Sequence, residues 1–274
     1  MPGSVDQGRV VVAVMDRPDR AESLLQAATR FLELMGGGRL KALAVRMPPA
    51  AAIMPTEEVL TAQRAAQIRA QEEDWAGQLR IIAEAAVPRA ADHGVRIKWT
   101  DVEGDAAETV TAQGRQADAI VIARPGRHET QRMHDCLHAA LFSADCPVLL
   151  VPPGFDAPLG RIVAIAWKDD QRAAKAVLAS LPILRRAQQV HVLRANAAAE
   201  VPAVLTEHGI VAQAHIVVAG DGSVGDRLLQ EARRLGADLL VMGAFSHAAW
   251  HERLFGGVTR TMFAKADLPL LMRY

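Results

Sequence analysis

Two four-residue stretches, Ala144-Asp145-Cys146-Pro147 and Ala266-Asp267-Leu268-Pro269, each run straight into a short apolar segment. They end a longer internal repeat. Arg9 to Asp16 (RVVVAVMD) corresponds to Arg161 to Asp169 (RIVAIAWKD), and Ala117 to His128 (ADAIVIARPGRH) corresponds to Ala237 to His247 (ADLLVMGAFSH), in the same order in both halves. Self-similarity on this scale marks two copies of one structural unit. A chain of 274 residues is long enough for each copy to bury its own core.

Between these anchors, strand-length apolar runs alternate with amphipathic, alanine-rich stretches, the pattern of βα units around a mainly parallel sheet. In the first half the pattern predicts strands at 9–15, 39–46, 96–103, 118–124 and 147–152, with helices at 19–35, 56–93, 105–116 and 130–143. Gly36, Gly37 and Gly38 close the first helix, and Pro88 is a point at which the long second one could break. In the second half strands fall at 161–167, 189–195, 212–219, 238–243 and 268–272, and helices at 170–186, 200–208, 223–235 and 251–265. The segment after the second strand is much shorter here than in the first half. Pro152 to Gly160, with three prolines and two glycines, opposes both helix and sheet pairing. This linker divides the chain near Asp156, into domains 1–155 and 156–274.

The apolar runs at 10–15, 119–123 and 147–151 are far shorter than the roughly 18 to 20 residues of a membrane helix. They suit buried strands, so no membrane partner is expected. The 31 basic and 31 acidic residues cancel, which leaves no excess charge for a polyanion and argues against nucleic acid. With two cysteines, Cys136 and Cys146, and no apolar leader, a reducing, cytoplasmic setting is expected.

Parallel βα sheets bind ligands beyond the carboxyl ends of their strands, which directs attention to the loops after the first and fourth strand of each half. In the second half the loop runs from Gly243 to Thr259. Gly256 and Gly257 precede an amphipathic segment, where bare backbone N–H groups at a helix N-terminus favour an anion. Thr259 adds a hydroxyl, and a side chain at Gly243 would obstruct a ligand at the sheet edge. The spacing resembles the nucleotide signature of the universal stress protein family, in which Gly, two residues, Gly, nine residues and Gly precede a Ser or Thr, a hydrophobic residue and a second Ser or Thr. Gly243, Gly256, Val258 and Thr259 match; Ser246 replaces the second glycine and Gly257 the first hydroxyl residue.

The resemblance covers nearly the whole chain. It implies an α/β fold of two tandem Rossmann-like domains of the adenine nucleotide alpha-hydrolase type, each with a five-stranded, mainly parallel sheet and about four helices. One branch of that family binds ATP and another does not. Binders usually carry an Asp at the end of the first strand, near the adenine; here Trp167 stands there, followed by Lys168, Asp169 and Asp170. The resemblance therefore implies a degenerate site for ATP or another adenine nucleotide in the second domain, with Lys168 toward phosphate and Trp167 stacking on a base or filling the crevice. No metal is expected other than a nucleotide-associated Mg.

The first half keeps less of the signature: Ala123 replaces the first glycine, Gly126 matches the second, and Cys136 or its neighbours replace the last hydroxyl, although Asp16 lies near the first strand's end. Arg124, Arg127 and His128 read either as holders of a different anion or as a solvated polar loop. His134 and His138 have the i, i+4 spacing of a zinc pair but lack the rest of that motif, and His247 and His251 flank a loop. Ser223 with Asp226, and Asp105 with Glu108, read as helix caps.

The family further implies that fifth strands pair between subunits, covering an exposed sheet edge. Fusion would let 147–151 pair antiparallel with 268–272, an intramolecular pseudo-dimer that leaves homo-oligomerisation open. These features together predict a cytoplasmic universal stress protein that acts by binding. The alternatives are a weak ATPase or nucleotide-dependent enzyme of the same fold, and a ligand-free scaffold whose crevices are filled by Trp167 and Phe245.

Overall fold

A computed structural model of the chain describes residues 8–52, 60–126, 129–195, 198–218, 222–244 and 257–274. The first half runs β1 (Arg9–Val14), α1 (Pro18–Leu34), β2 (Gly38–Arg46), α2 (Ala62–Asp92), β3 (Val95–Glu103), α3 (Ala106–Gly114), β4 (Ala119–Ala123), α4 (Gln131–Phe142) and β5 (Val148–Val151). The second runs β6 (Ile162–Trp167), α5 (Gln171–Leu184), β7 (Gln189–Ala195), α6 (Ala203–Glu207), β8 (Gln213–Val217), α7 (Val224–Arg234), β9 (Leu239–Gly243), α8 (Gly257–Lys265) and β10 (Leu270–Arg273).

All ten strands belong to one sheet, in the order β3-β2-β1-β4-β5-β10-β9-β6-β7-β8. Pairing within each half is parallel, and β5 meets β10 antiparallel, with Leu150 opposite Leu270 and Val148 opposite Met272. The two fifth strands thus pair inside one chain. β1, β4, β5 and β9 read as unbroken apolar runs because helices cover both faces; Val11 to Val14, Ile120 to Ile122 and Leu239 to Val241 are buried.

The repeated dipeptides perform the same work twice. Asp118 and Asp238, just before the fourth strands, accept hydrogen bonds from backbone N–H groups where β1 and β6 begin: Val10 N at 2.7 Å in one half, Arg161 N at 3.1 Å and Ile162 N at 3.2 Å in the other. Their own N–H groups donate back to Val10 O and Ile162 O. The carbonyls of Pro147 and Pro269 each accept from the fourth strand, from Ile120 N and Leu240 N, both at 3.0 Å. Each aspartate and proline therefore satisfies a strand end that would otherwise be left with an unpaired backbone group.

The glycine run ends α1 as expected: Gly37 N donates to Leu32 O and Gly36 N to Glu33 O, a Schellman closure with positive φ at both glycines. No break occurs at Pro88. α2 passes through it, because Pro88 lies on the exposed face, where water reaches the carbonyl left without a donor, while buried Ala83 and Ala90 hold the helix to the core on either side. Ser223 and Asp226 form a full capping box on α7, and Asp105 Oδ1 accepts from Glu108 N at 2.8 Å.

Candidate functional site

At the carboxyl ends of β6, β7 and β9 lies a cleft of about 410 Å³, a size that suits a small ligand. Trp167 and Arg194 are in register across β6 and β7 and form its floor with Met242, Gly243 and Ala244. The segment after β6 supplies Lys168, Asp169 and Asp170, and helices supply Arg172, Val224, Leu228 and Val258.

The polar groups are tied together. The Trp167 indole N–H donates to Asp169 Oδ1 at 2.7 Å, and Arg194 Nη2 donates to Asp169 Oδ2 at 2.6 Å. Arg194 also donates to Glu200 O at 3.3 Å. Asp170 is occupied as the cap of α5, accepting from Ala173 N at 2.9 Å. Lys168 is 85% exposed, its ammonium 3.9 Å from Asp170, and can reach an anion in the cleft mouth.

Of the residues picked out from the sequence, Trp167, Lys168, Gly243 and Val258 come together on this cleft. Gly257 is the first residue of α8, and Thr259 falls within that helix. Ser246, Gly256, Phe245, His247 and His251 lie outside the described residues. Gly243 also has a packing role: a Cβ there would lie 2.9 Å from Ala173 N and from Arg172 C, so the glycine lets the first turn of α5 press against β9. α8 is fixed to α7 by close packing. A Cβ on Gly225 would meet Thr261 Cβ at 2.7 Å, Ser223 Oγ lies 2.9 Å from Thr261 Oγ1, and Lys265 Nζ donates to Asp226 Oδ1 at 2.8 Å. The Lys265 and Ser223 hydrogen bonds hold the Asp226 carboxyl down to about 2.

A family model for universal stress proteins matches the chain twice, over residues 8–152 and 160–272. The chain belongs to the universal stress protein family. Among solved structures it is similar to a universal stress protein from Archaeoglobus fulgidus DSM 4304, at 12% identity and a TM-score of 0.71, covering 97% of this chain and 96% of that one. It is similar also to a functionally unknown protein from Pseudomonas aeruginosa PAO1, at 16% identity and a TM-score of 0.58, covering 98% and 93%. No curated protein matches the chain. At these identities the likeness to solved structures is one of fold, a tandem pair of Rossmann-like universal stress domains.

The corresponding crevice of the first universal stress domain is built differently. Arg20, in the first turn of α1, makes a two-pronged pair with Glu129, Nη1 to Oε1 at 2.9 Å and Nη2 to Oε2 at 2.8 Å. Glu129 Oε1 also accepts from Gly126 N at 2.6 Å, so its carboxylate takes the loop N–H. Asp16 approaches the same guanidinium at 3.2 Å. Burial pushes the Asp16 carboxyl above its usual range; Arg20 opposes this and Glu129 adds to it. The Arg20 hydrogen bond in turn holds Glu129 below its usual range. From α2, the Trp75 indole donates to Asp16 O at 3.0 Å, and Arg132 lies over that ring at 4.5 Å.

The anion reading of the first domain's loop finds no support in Arg124, which donates across the domain seam to Phe263 O on α8; Arg127 and His128 lie outside the described residues. His138 packs on Phe142 at 5.1 Å, and Phe142 meets Tyr274 of the other domain edge-on at 5.5 Å, so this histidine is part of the seam. Among the described residues no group of three His, Cys, Asp or Glu side chains converges as a metal site, and no helix is long and apolar enough to cross a membrane. Sequence reasoning missed Arg194 and Glu129. An arginine inside the strand run VHVLRA, where only His191 is otherwise polar, was the signal available for the first.

Proposed function

We propose that this universal stress protein acts by binding a small anionic ligand of the adenine-nucleotide type in the cleft of its second domain, while the first domain serves as frame. The observation that carries this reading is the cleft itself: a flat indole, a buried guanidinium and an exposed ammonium face one 410 Å³ space at the strand ends. An aromatic face suits a base and paired cations suit phosphate. The first turn of α8 borders the same space through Val258, where helix polarity favours negative charge. Division of the chain near Asp156 separates the binding half from the frame. Without ligand, Asp169 and Asp170 are engaged by Arg194 and by the α5 cap, so a Mg ion would arrive with a nucleotide rather than bind ahead of it. The two cysteines are buried free thiols, in keeping with a cytoplasmic place of action.

The test is calorimetric titration of the purified chain with ATP, ADP and AMP, alongside a phosphate-release assay. Saturable heat without phosphate release is expected, and it should be lost in Trp167→Ala and weakened in Lys168→Ala. Absence of heat with every nucleotide would leave a ligand-free scaffold; steady phosphate release would make the protein an ATPase.

A further inference from the structure

Both crevices contain the same contact, an internal carboxylate seated on a buried arginine, but the two contacts differ in how firmly they are closed. In the first domain Glu129 is 4% exposed and holds both Arg20 and a loop N–H. In the second, Arg194 is 11% exposed whereas its partner Asp169 is 72% exposed. Asp169 makes no helix cap; that task belongs to its neighbour Asp170. Its carboxylate instead accepts from the groups best placed to meet a ligand, the Trp167 indole N–H and the Arg194 guanidinium. Ionised carboxylate and phosphate present the same acceptor geometry to a guanidinium, so an incoming anion and Asp169 compete for the same donors.

We infer that Asp169 is an exchangeable internal occupant of the second-domain cleft, holding Arg194 and Trp167 until a ligand phosphate takes its place, while Glu129 is the locked counterpart in the first domain. This rests on the nucleotide reading of the cleft. On exchange, Asp169 swings into solvent, Arg194 passes to the phosphate, and the indole loses its intramolecular acceptor and is freed to reorient against the base. Exposure decides which occupant leaves: a solvated carboxylate is rehydrated at once, whereas release of Glu129 would break a two-pronged pair with Arg20 and a loop N–H bond together in a closed site.

The test uses the full chain as wild type, Asp169→Asn, Asp169→Ser and Arg194→Gln, titrated by calorimetry with AMP, adenosine and inorganic phosphate, with thermal melts to verify folding. Removal of the competitor is expected to tighten AMP about fivefold in both Asp169 variants, as for the loss of an ion pair with one solvated partner, and to leave adenosine unchanged. Arg194→Gln should lose the preference for AMP over adenosine. Tightening of inorganic phosphate in parallel would locate the exchange on the phosphate alone; tightening confined to AMP would show that the base must seat first, and either result supports the exchange. Unchanged or weaker AMP binding in the Asp169 variants, with wild-type binding intact, overturns the internal occupant and leaves the cleft reading standing. No binding by any form overturns both.

Discussion

Leu149 and Leu271 face each other across the antiparallel junction of β5 and β10, and neither exposes more than 1% of its surface. Each is therefore core for both halves at once. Leu271→Ala should cost about 2–5 kcal/mol, the usual range for a buried leucine truncated to leave a cavity. Because the sheet is continuous, the loss should appear as one shifted transition. Urea denaturation followed by circular dichroism and by tryptophan fluorescence should give coincident curves for wild type and variant, displaced together. Two separated transitions, with the variant moving only the later half, would count against a shared core.

The Asp16 carboxyl offers a pH test. Burial raises its folded pKa, so ionising it in the folded state costs stability above the ordinary carboxylate range, and that cost disappears as the pH falls below it. Asparagine mimics the protonated form. Asp16→Asn is expected to be more stable than wild type at neutral pH, with the gap closing as the pH falls below the ordinary carboxylate range. Chemical denaturation across that range is the measurement; a variant less stable than wild type at neutral pH would show that the attraction of Asp16 for Arg20 outweighs its burial.

Burial pushes the Cys136 thiol up to about 12 and the Cys146 thiol up to about 11. Since the thiolate is the reactive form, both should be inert in the native protein. A disulfide-exchange reagent added to folded protein at neutral pH is expected to find no fast-reacting thiol, and both should react on denaturation. A thiol titrating within seconds under native conditions would contradict the packing of α4 or of the segment before β5.

Gly243→Ala would place a Cβ 2.9 Å from the backbone of Arg172 and Ala173. The start of α5 must then move away from β9, at a cost of about 1–3 kcal/mol, as for other overpacked sites. The same displacement would disturb Asp170 and the cleft wall, so nucleotide affinity should fall along with the melting temperature. Comparing the two effects in one variant separates a packing glycine from one needed only for ligand access, which would leave the melting temperature unchanged.

The repeat was legible because each of its anchors satisfies a backbone group at a strand end, and that requirement is local: Asp118 and Asp238 serve the strand they pair with, and Pro147 and Pro269 the strand beside them. Pairing of 147–151 with 268–272 came instead from the family resemblance, in which fifth strands cover one another's exposed edge. What escaped was set by register between distant segments. Nothing in linear spacing joins Arg194 to Asp169, which meet only because β6 and β7 align Trp167 with Arg194. Glu129 is joined to Arg20 across 109 residues by the crossover from β1 to β4. Pro88 left the continuity of α2 open because its effect depends on whether water can reach the carbonyl it abandons, a matter of helix orientation rather than of local sequence.

Joining β5 to β10 within a single polypeptide has an evolutionary consequence. In a dimer of identical subunits every substitution is written twice, so a change that closes one crevice closes both. Here the two halves are free to part company, and the closely held Arg20–Glu129 pair of one already differs from the solvent-facing Arg194–Asp169 pair of the other. The pairing is also insensitive to dilution, because the partner strand is always attached: the protein cannot dissociate into halves when scarce, and its one asymmetric arrangement persists at any cellular concentration.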